Sequence, residues 1–541
     1  MHYLPGARRV AGFLLMSLLA GCGGGGGGDE ATRTEISTNA ISFSAAAPDA
    51  PTPAPQVITA TFGSDIAHLA VVHSGDAIAT ASSELSGRTA QITVTAATPS
   101  SVGPGSYIGA VAVTGYTCAD ATCTKLSAGS TATVAVSYQI SPVVQLVTPY
   151  VAIAGVSNSV VIRGLGLRSF AVQGVRFGDT AATDVAVSTD GTLITATYPA
   201  LSAGTYPVGL DSSTHQGAIP STATLVVIDP ITFAATTLTY PAGTTAVRRL
   251  IYDAERSALV AVTDAGAVAR YVYAGGTWGA PTSVDASLRD AALSTNGTQL
   301  FGVTATALTP VDPVTLAVGT SIDAPSLPTD SFLKNIVVGH DNRGLITTGI
   351  NSSTETMTYI YTPSASVVQQ TGRNLNNATP GMSANGGFAM LVQGDPSLTT
   401  GPVALVYTAA NTALDGATGI TLNQNAIAPV VDRNFGRFVL NGQRVYAGDF
   451  NFLGTLPDTT AAVALKPDGT RAYAYNPAAG GILIYDISVD REEAAYEPLG
   501  AAVPLVADPG SNPQMIITPD GGTLFLAGAG GAIVIQPTPA G

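Results

Sequence analysis

Charged residues are scarce in this chain of 541 residues, and lysines are few. Only 11% of the residues are charged, lysine and arginine together number 22, and the formal net charge is −14. A chain of this charge is poorly suited to bind nucleic acid or an anionic lipid surface. Long amphipathic helical patterns are also missing, which argues against an α-helical fold.

Motifs that mark catalytic or metal centres are missing as well. The chain has no G-x-S-x-G, no H-E-x-x-H and no Cys-x-x-Cys, and its five histidines are dispersed. His68 and His73 flank an apolar run at odd spacing, which puts them on opposite faces of a strand. His340, next to Asp341, is expected in a solvated turn. We therefore predict no catalytic residue, no metal ligand and no cofactor.

Short runs of Val, Ile, Thr and Ala dominate the chain instead. They alternate with clusters of Gly, Asp, Asn and Ser, and the chain holds 60 glycines and 34 prolines. Such runs predict an all-β fold. At this length we expect three or four domains.

The N-terminus carries a targeting pattern. Arg8 and Arg9 precede the apolar run 10–20, which is too short to span a bilayer and is typical of a signal peptide. The run ends in Leu-Ala-Gly-Cys at residues 19–22. This motif resembles a bacterial lipobox, which implies cleavage before Cys22, lipidation of Cys22 and an outer-membrane location facing the periplasm or the cell surface. Gly23–Gly28 then forms a flexible tether.

Residues 35–141 are expected to form the first β domain. The segment Gly105–Val113 resembles a strand of BACON-like and other bacterial immunoglobulin-like domains. Cys118 and Cys123 lie in one short loop, and in an oxidising periplasm we expect them to form a disulfide.

Residues 143–228 are expected to form a second β domain. Pro149, Gly155, the run Val160–Leu167 and the segment Ala203–Val208 follow one another in an order that resembles an IPT/TIG domain. The resemblance implies an immunoglobulin-like sandwich, with glycines at its turns and bulge.

Residues 231–541 carry a repeated turn. Lys-Pro-Asp-Gly at residues 466–469 recurs as Thr-Pro-Asp-Gly at residues 518–521, each before an alternating strand. Proline presets φ for such a turn, and Asp-Gly supplies the polar and positive-φ positions. Five looser copies, at a spacing of roughly forty-five residues, begin at Asp253, Ser294, His340, Ser383 and Asp432.

Seven such units predict seven four-stranded blades around a channel, because a lone blade cannot bury both of its faces. The repeat resembles that of seven-bladed propellers of the lactonase and YVTN-repeat type. The last unit lacks one strand, so we predict that Ile231–Leu238 completes it and closes the ring. The predicted organisation is a signal peptide (1–21), a lipidated cysteine with a Gly-rich tether (22–34), an immunoglobulin-like domain (35–141), an IPT/TIG domain (143–228) and a propeller (231–541).

Two functions remain open. The modular spacers favour an outer-membrane lipoprotein whose propeller binds or scaffolds a glycan or an envelope protein, with contacts around 351–358, 393–402 and 423–434. The alternative is a propeller hydrolase of lactonase type, which only the fold analogy supports. The metal-dependent class of that type implies Glu, Asn and Asp converging on the channel. Polar residues that could line it are Asp264, Arg289, Asp290, Asp432, Arg433, Asn434 and Arg444.

Overall fold

The computed structural model describes residues 34–539 except 49, 119, 168–171, 213–220, 326, 351–356, 376, 394–403, 418–419, 421–427 and 458–459. Cys22, the glycine tether and most of the three predicted contact loops lie outside the described residues. The chain divides into two compact units, one of residues up to 43, 52–98 and 107–138, the other of residues 44–51, 99–106 and 139–541. In the described part, no helix has the length and apolarity to cross a bilayer.

Two four-stranded antiparallel sheets form the first sandwich. Alternating side chains such as Ile58, Ile92 and Val113 are fully buried, as expected for strands with one face on a core. Cys118 and Cys123 lie at disulfide distance, with their Cα atoms 4.7 Å apart. One sheet has the order Thr34–Ile36, Gln56–Phe62, Thr89–Ala96, Ile78–Ser86, and the other Ala40–Ala45, Leu126–Ile140, Gly105–Cys118, His68–Ser74; a one-turn helix spans Pro99–Val102.

A second sandwich follows from residue 143. Its core includes Ile162, Phe177, Ile194 and Leu225, none of which is exposed to solvent. One sheet has the order Val151–Ile153, Thr224–Ile228, Gly204–Ser212, Val172–Phe177, Thr180–Ala181, and the other Thr183–Val187, Leu193–Tyr198, Asn158–Leu165, Val143–Thr148.

Seven further sheets form the propeller. In blades one to six the chain runs from the innermost strand outwards through antiparallel neighbours, whereas the outermost strand of blade seven comes from the start of the propeller. Apolar side chains on both faces pack between blades. From the innermost strand outwards, blade one is Val247–Asp253, Ala258–Thr263, Ala267–Ala274 with Thr277–Trp278 and Thr282–Asp285; blade two Asp290–Leu293, Leu300–Val303, Ala307–Val311, Ile322–Asp323; blade three Ser331–Val338, Gly344–Ile350, Met357–Thr362, Val367–Asn374, with a 3-10 turn at Pro363–Ala365; blade four Thr379–Met382, Phe388–Val392, Ala404–Thr408, Ala413–Gly416; blade five Val430–Val431, Arg437–Leu440, Arg444–Ala447, Phe452–Thr455; blade six Ala462–Leu465, Arg471–Asn476, Gly481–Asp486, Val503–Pro504; and blade seven Gln514–Ile517, Thr523–Ala527, Ala532–Pro537, Thr236–Thr239.

The predicted ring closure is confirmed. Thr236–Thr239 pairs antiparallel with Ala532–Pro537, so that Leu238 lies opposite Ile533. The paired strand begins at Thr236 rather than Ile231, because the preceding residues bind the turn of blade seven. The backbone N–H of Ile231 donates to Oδ2 of Asp520 at 2.7 Å.

Candidate binding site in the propeller channel

A ring of apolar residues surrounds one end of the channel. Each is the residue that precedes the turn after the innermost strand of its blade. Together they line a chamber of about 390 Å³. This volume lies within the range of small-molecule sites. The seven residues, called the apolar ring below, are Tyr252, Leu293, Val338, Met382, Val431, Leu465 and Ile517.

The second sandwich covers this end of the chamber, which we call the sandwich end. Its segment 148–151 lines the same chamber. The ring of Tyr150 lies so close to Gly297 that a Cβ at Gly297 would stand 2.1 Å from the Tyr150 hydroxyl. Burial, with the Asp253 and Glu255 charges, raises the pKa of Tyr150, which shares a hydrogen bond with Arg256. The phenol is therefore neutral and held in place.

Two arginines strengthen this docking. Nη2 of Arg163 donates to the carbonyl of Ala409 at 3.0 Å, and Nη2 of Arg433 donates to the hydroxyl of Tyr198 at 3.3 Å. The propeller and the second sandwich thus share polar contacts at several blades.

The prediction that His340 lies in a solvated turn is wrong. The residue follows the innermost strand of blade three and is 3% exposed. Burial and the nearby Arg163 charge lower the pKa of His340 to about 4. The imidazole is therefore neutral at physiological pH. His68 and His73 are both exposed on their strand of the first sandwich.

Polar residues gather at the opposite end of the channel, which we call the basic end. In each of blades one to three, the residue four positions before the apolar-ring residue in the chain is a cation: Arg248, Arg289 and Lys334. At this position blades four, six and seven carry Ala378, Ala461 and Pro513, so the cations occupy one side of the channel. Three positions before the ring, blades one to three carry Arg249, Asp290 and Asn335.

Asp290 is the buried centre of this polar set. Its Oδ2 accepts the backbone N–H of Ile336 at 2.9 Å and Nδ2 of Asn335 at 3.2 Å. Nε of Arg249 lies 3.5 Å from Oδ1, and neither atom has a hydrogen bond. Burial raises the pKa of Asp290, while Arg249 and the N–H donors oppose this rise.

Lys334 and Arg289 are partly buried cations. Nζ of Lys334 donates to the carbonyl of Asn377 at 2.5 Å, and burial lowers the pKa of Lys334 to about 8 against the pull of Asp290. The guanidinium of Arg289 lies 3.9 Å above the Phe332 ring. Burial and the charge of Arg248 lower its pKa, although an arginine stays charged.

Gln514 is polar, but its side chain is already hydrogen-bonded to the backbone of blade one. Its Oε1 accepts the backbone N–H of Leu250 at 3.1 Å, and its amide donates to the carbonyl of Arg248. This residue therefore joins blade seven to blade one and is not free to bind a ligand.

A second cavity adjoins the chamber on the side of the basic end. It has a volume of about 280 Å³ and extends from Arg249 to the apolar ring, with Ile251, Val337 and Ile516 in its wall. The two cavities share six lining residues. The channel is thus polar and cationic at the basic end, and apolar along the second cavity and the apolar ring. At the sandwich end the chamber is also lined by polar residues, namely Thr148, Ser294, Thr295, Ser383, Asp432, Arg433 and Thr518.

The other polar candidates lie away from the basic end. Asp432 lies at the sandwich end and accepts three backbone N–H groups of its own turn. Asp264 binds Thr245, and Arg444 stacks 4.6 Å from the Phe452 ring. Within the described residues no three His, Cys, Asp or Glu side chains come together as a metal site.

Trp278 packs inside an aromatic cluster between blades one and seven. Its ring centroid lies 4.9 Å from Phe233, 5.3 Å from Tyr273 and 6.0 Å from Phe525. The side chain is therefore part of the packing at the ring closure rather than a platform for a sugar.

Comparisons with known proteins identify no family. No family model matches the chain, and no curated protein matches it. Among solved structures, a chain of hydrazine synthase from Kuenenia stuttgartiensis matches with a TM-score of 0.42 and 12% sequence identity, over 56% of this chain and all of that one.

Proposed function

We propose that this protein is an outer-membrane lipoprotein whose propeller binds an anionic group of a glycan or protein in the cell envelope, at the basic end of the channel. The observation that carries the proposal is the placement of Arg248, Arg289 and Lys334 at equivalent positions of three successive blades. In a chain with 22 basic residues and a net charge of −14, this grouping creates a local positive field.

The second sandwich, for which we propose the IPT/TIG family, supports the same function. It covers the sandwich end of the channel and leaves the basic end for ligands. Cys22 and the glycine tether would hold this assembly at the membrane. Replacing Cys22 with Ala is then expected to move the protein from the membrane fraction to the soluble fraction.

The experiment uses soluble protein from Ala31 onward, tested against acidic and neutral envelope glycans and envelope proteins. Arg248→Ala/Arg289→Ala should lose binding of acidic ligands at least about tenfold, since each of the two charges contributes on the order of 1 kcal/mol. Arg491→Ala is the control, because Arg491 is exposed and its backbone N–H donates to the carbonyl of Leu453 in the outermost strand of blade five, away from the channel. Equal losses in both variants would contradict the proposal.

The alternative function, a lactonase-type hydrolase, draws on one observation. Asp290 and Asn335 are hydrogen-bonded to each other between the innermost strands of blades two and three, beside Lys334 with its lowered pKa. Perturbed groups of this kind occur at catalytic sites as well as in ion pairs. Turnover of lactones or esters, with and without added calcium, that disappears in Asp290→Asn would replace the binding function by the enzymatic one.

A further inference from the structure

We propose that the channel holds a single-chain anionic amphiphile, a fatty-acid-like molecule with its head at the basic end and its alkyl chain in the chamber. This inference rests on the proposed function, because the anionic group that binds there becomes the head of the amphiphile. The inference adds the chemical nature of the rest of the ligand, which is an alkyl chain rather than a further polar group.

The channel wall selects against a polar occupant. The apolar ring and the residues of the second cavity, such as Ile251 and Val337, offer few partners to hydroxyl groups. Polar side chains line the chamber at its sandwich end, where the hydroxyls of Ser294, Ser383 and Thr518 are already bonded within their own turns. A sugar buried there would leave its hydroxyls without hydrogen bonds, which is costly. Each methylene of an alkyl chain that leaves water should instead tighten binding roughly fourfold.

The depth of the channel limits the length of the chain. Four residues of extended strand separate Arg248 from Tyr252, a distance of about 13 Å. Beyond the ring stand Tyr150 and Val151 of the second sandwich, which line the end of the chamber. We therefore expect affinity to rise with chain length and then level off, once the chain reaches this wall.

The head group meets charge of the opposite sign. Arg248 is exposed, while Arg289 and Lys334 are partly buried. Nε of Arg249 is buried, has no hydrogen bond, and lines the second cavity. The charge of Asp290 is balanced by Arg249, with which it forms an ion pair. The carboxylate of a ligand would therefore meet the three remaining cations, Arg248, Arg289 and Lys334.

The test titrates the full chain carrying Cys22→Ser, which leaves every described residue in place, with acetate, hexanoate, octanoate and decanoate. Decyltrimethylammonium is the probe of opposite charge, with an alkyl chain one carbon longer than that of decanoate. We expect a rise of roughly fourfold in affinity per methylene along the carboxylate series. Decanoate should bind at least about tenfold more tightly than the cationic analogue.

Two variants test the chamber itself. Leu293→Trp and Met382→Trp each place a large ring inside the chamber and should end the rise at a shorter chain. Val314→Trp is the control, because Val314 is an exposed side chain of blade two. Only Trp variants whose circular dichroism spectrum matches that of the parent protein are compared. Two positions in the apolar ring are used so that the test still works if one variant fails to fold.

The outcomes separate this inference from the proposed function. Affinity that is flat from acetate to decanoate overturns the chamber inference, and the proposed function survives if Arg248→Ala/Arg289→Ala still weakens every carboxylate. A chain-length rise with equal binding of both head charges, unaffected by that double variant, overturns the anionic head and the proposed function together. Continued rise in both Trp ring variants places the chain elsewhere and overturns the inference.

Discussion

Nε of Arg249 lies 3.5 Å from Oδ1 of Asp290, and this ion pair links the innermost strands of blades one and two at the basic end. Through its other oxygen Asp290 also holds the backbone N–H of Ile336 in blade three. One buried carboxyl therefore joins three blades beside the candidate site.

Removing this carboxyl should destabilise the propeller. Asp290→Ala leaves Arg249 and the Ile336 N–H without their partner, so we expect a loss of about 3 kcal/mol in the free energy of unfolding. Urea unfolding followed by Trp278 fluorescence measures it, because Trp278 is the single tryptophan and lies in the propeller. Arg249→Ala/Asp290→Ala should cost less than the sum of the single changes, and additive costs would show that the two side chains do not interact.

The strand that closes the ring should contribute strongly to stability. Leu238 is buried opposite Ile533, so Leu238→Ala is expected to cost about 2–4 kcal/mol in the same unfolding measurement. Thr237→Ala is the matched control: its side chain is exposed on the same strand, and we expect a change within about 0.5 kcal/mol. Similar effects of the two changes would mean that this strand is not packed as described.

Acid should weaken the propeller through His340. The pKa of His340 is about 4 in the folded state and about 6.5 when unfolded, so between these pH values the unfolded chain binds more protons. Stability should therefore fall by about 2 kcal/mol from pH 7 to pH 5. His340→Gln cannot take up this proton, so the variant should lose that part of the pH dependence. An unchanged slope would indicate that His340 is solvated.

Ligand binding should weaken at alkaline pH. Lys334 is protonated below its pKa of about 8 and loses its charge as the pH rises through that value. The affinity for decanoate should then fall between pH 7 and pH 9, while Lys334→Arg, which keeps its charge, should show a flatter profile. An identical pH profile in the parent protein and in Lys334→Arg would show that Lys334 does not interact with the head group.

The sequence predicted the propeller because its turns are local features. Positive φ is needed at the glycine of each sharp turn, and Gly469 and Gly521 adopt it with φ of 71° and 75°. The strand Ile78–Ser86 of the first sandwich carries no such local signal. Most of its side chains are exposed on both faces, so its sequence lacks the alternation that indicates a strand.

The candidate site was only partly visible in the sequence. Arg289 and Asp290 were among the polar candidates, but their position in the channel depends on the blade borders. Arg248 and Lys334 emerge when each blade is aligned on the apolar residue before its turn and positions are counted backwards. The positions of these two cations could therefore have been predicted from the sequence. The burial of His340 could not have been predicted, because it depends on docking of the second sandwich.

Amine labelling of Lys334 measures directly whether an anionic ligand binds at the basic end. The chain has three lysines, Lys125, Lys334 and Lys466, so two controls lie in the same molecule. Peptide mass mapping at pH 8 compares their labelling rates with and without decanoate. If decanoate binds at the basic end, it should slow the labelling of Lys334 severalfold and leave the labelling of Lys125 and Lys466 unchanged. Equal slowing of all three, or an unchanged rate at Lys334, would contradict this binding.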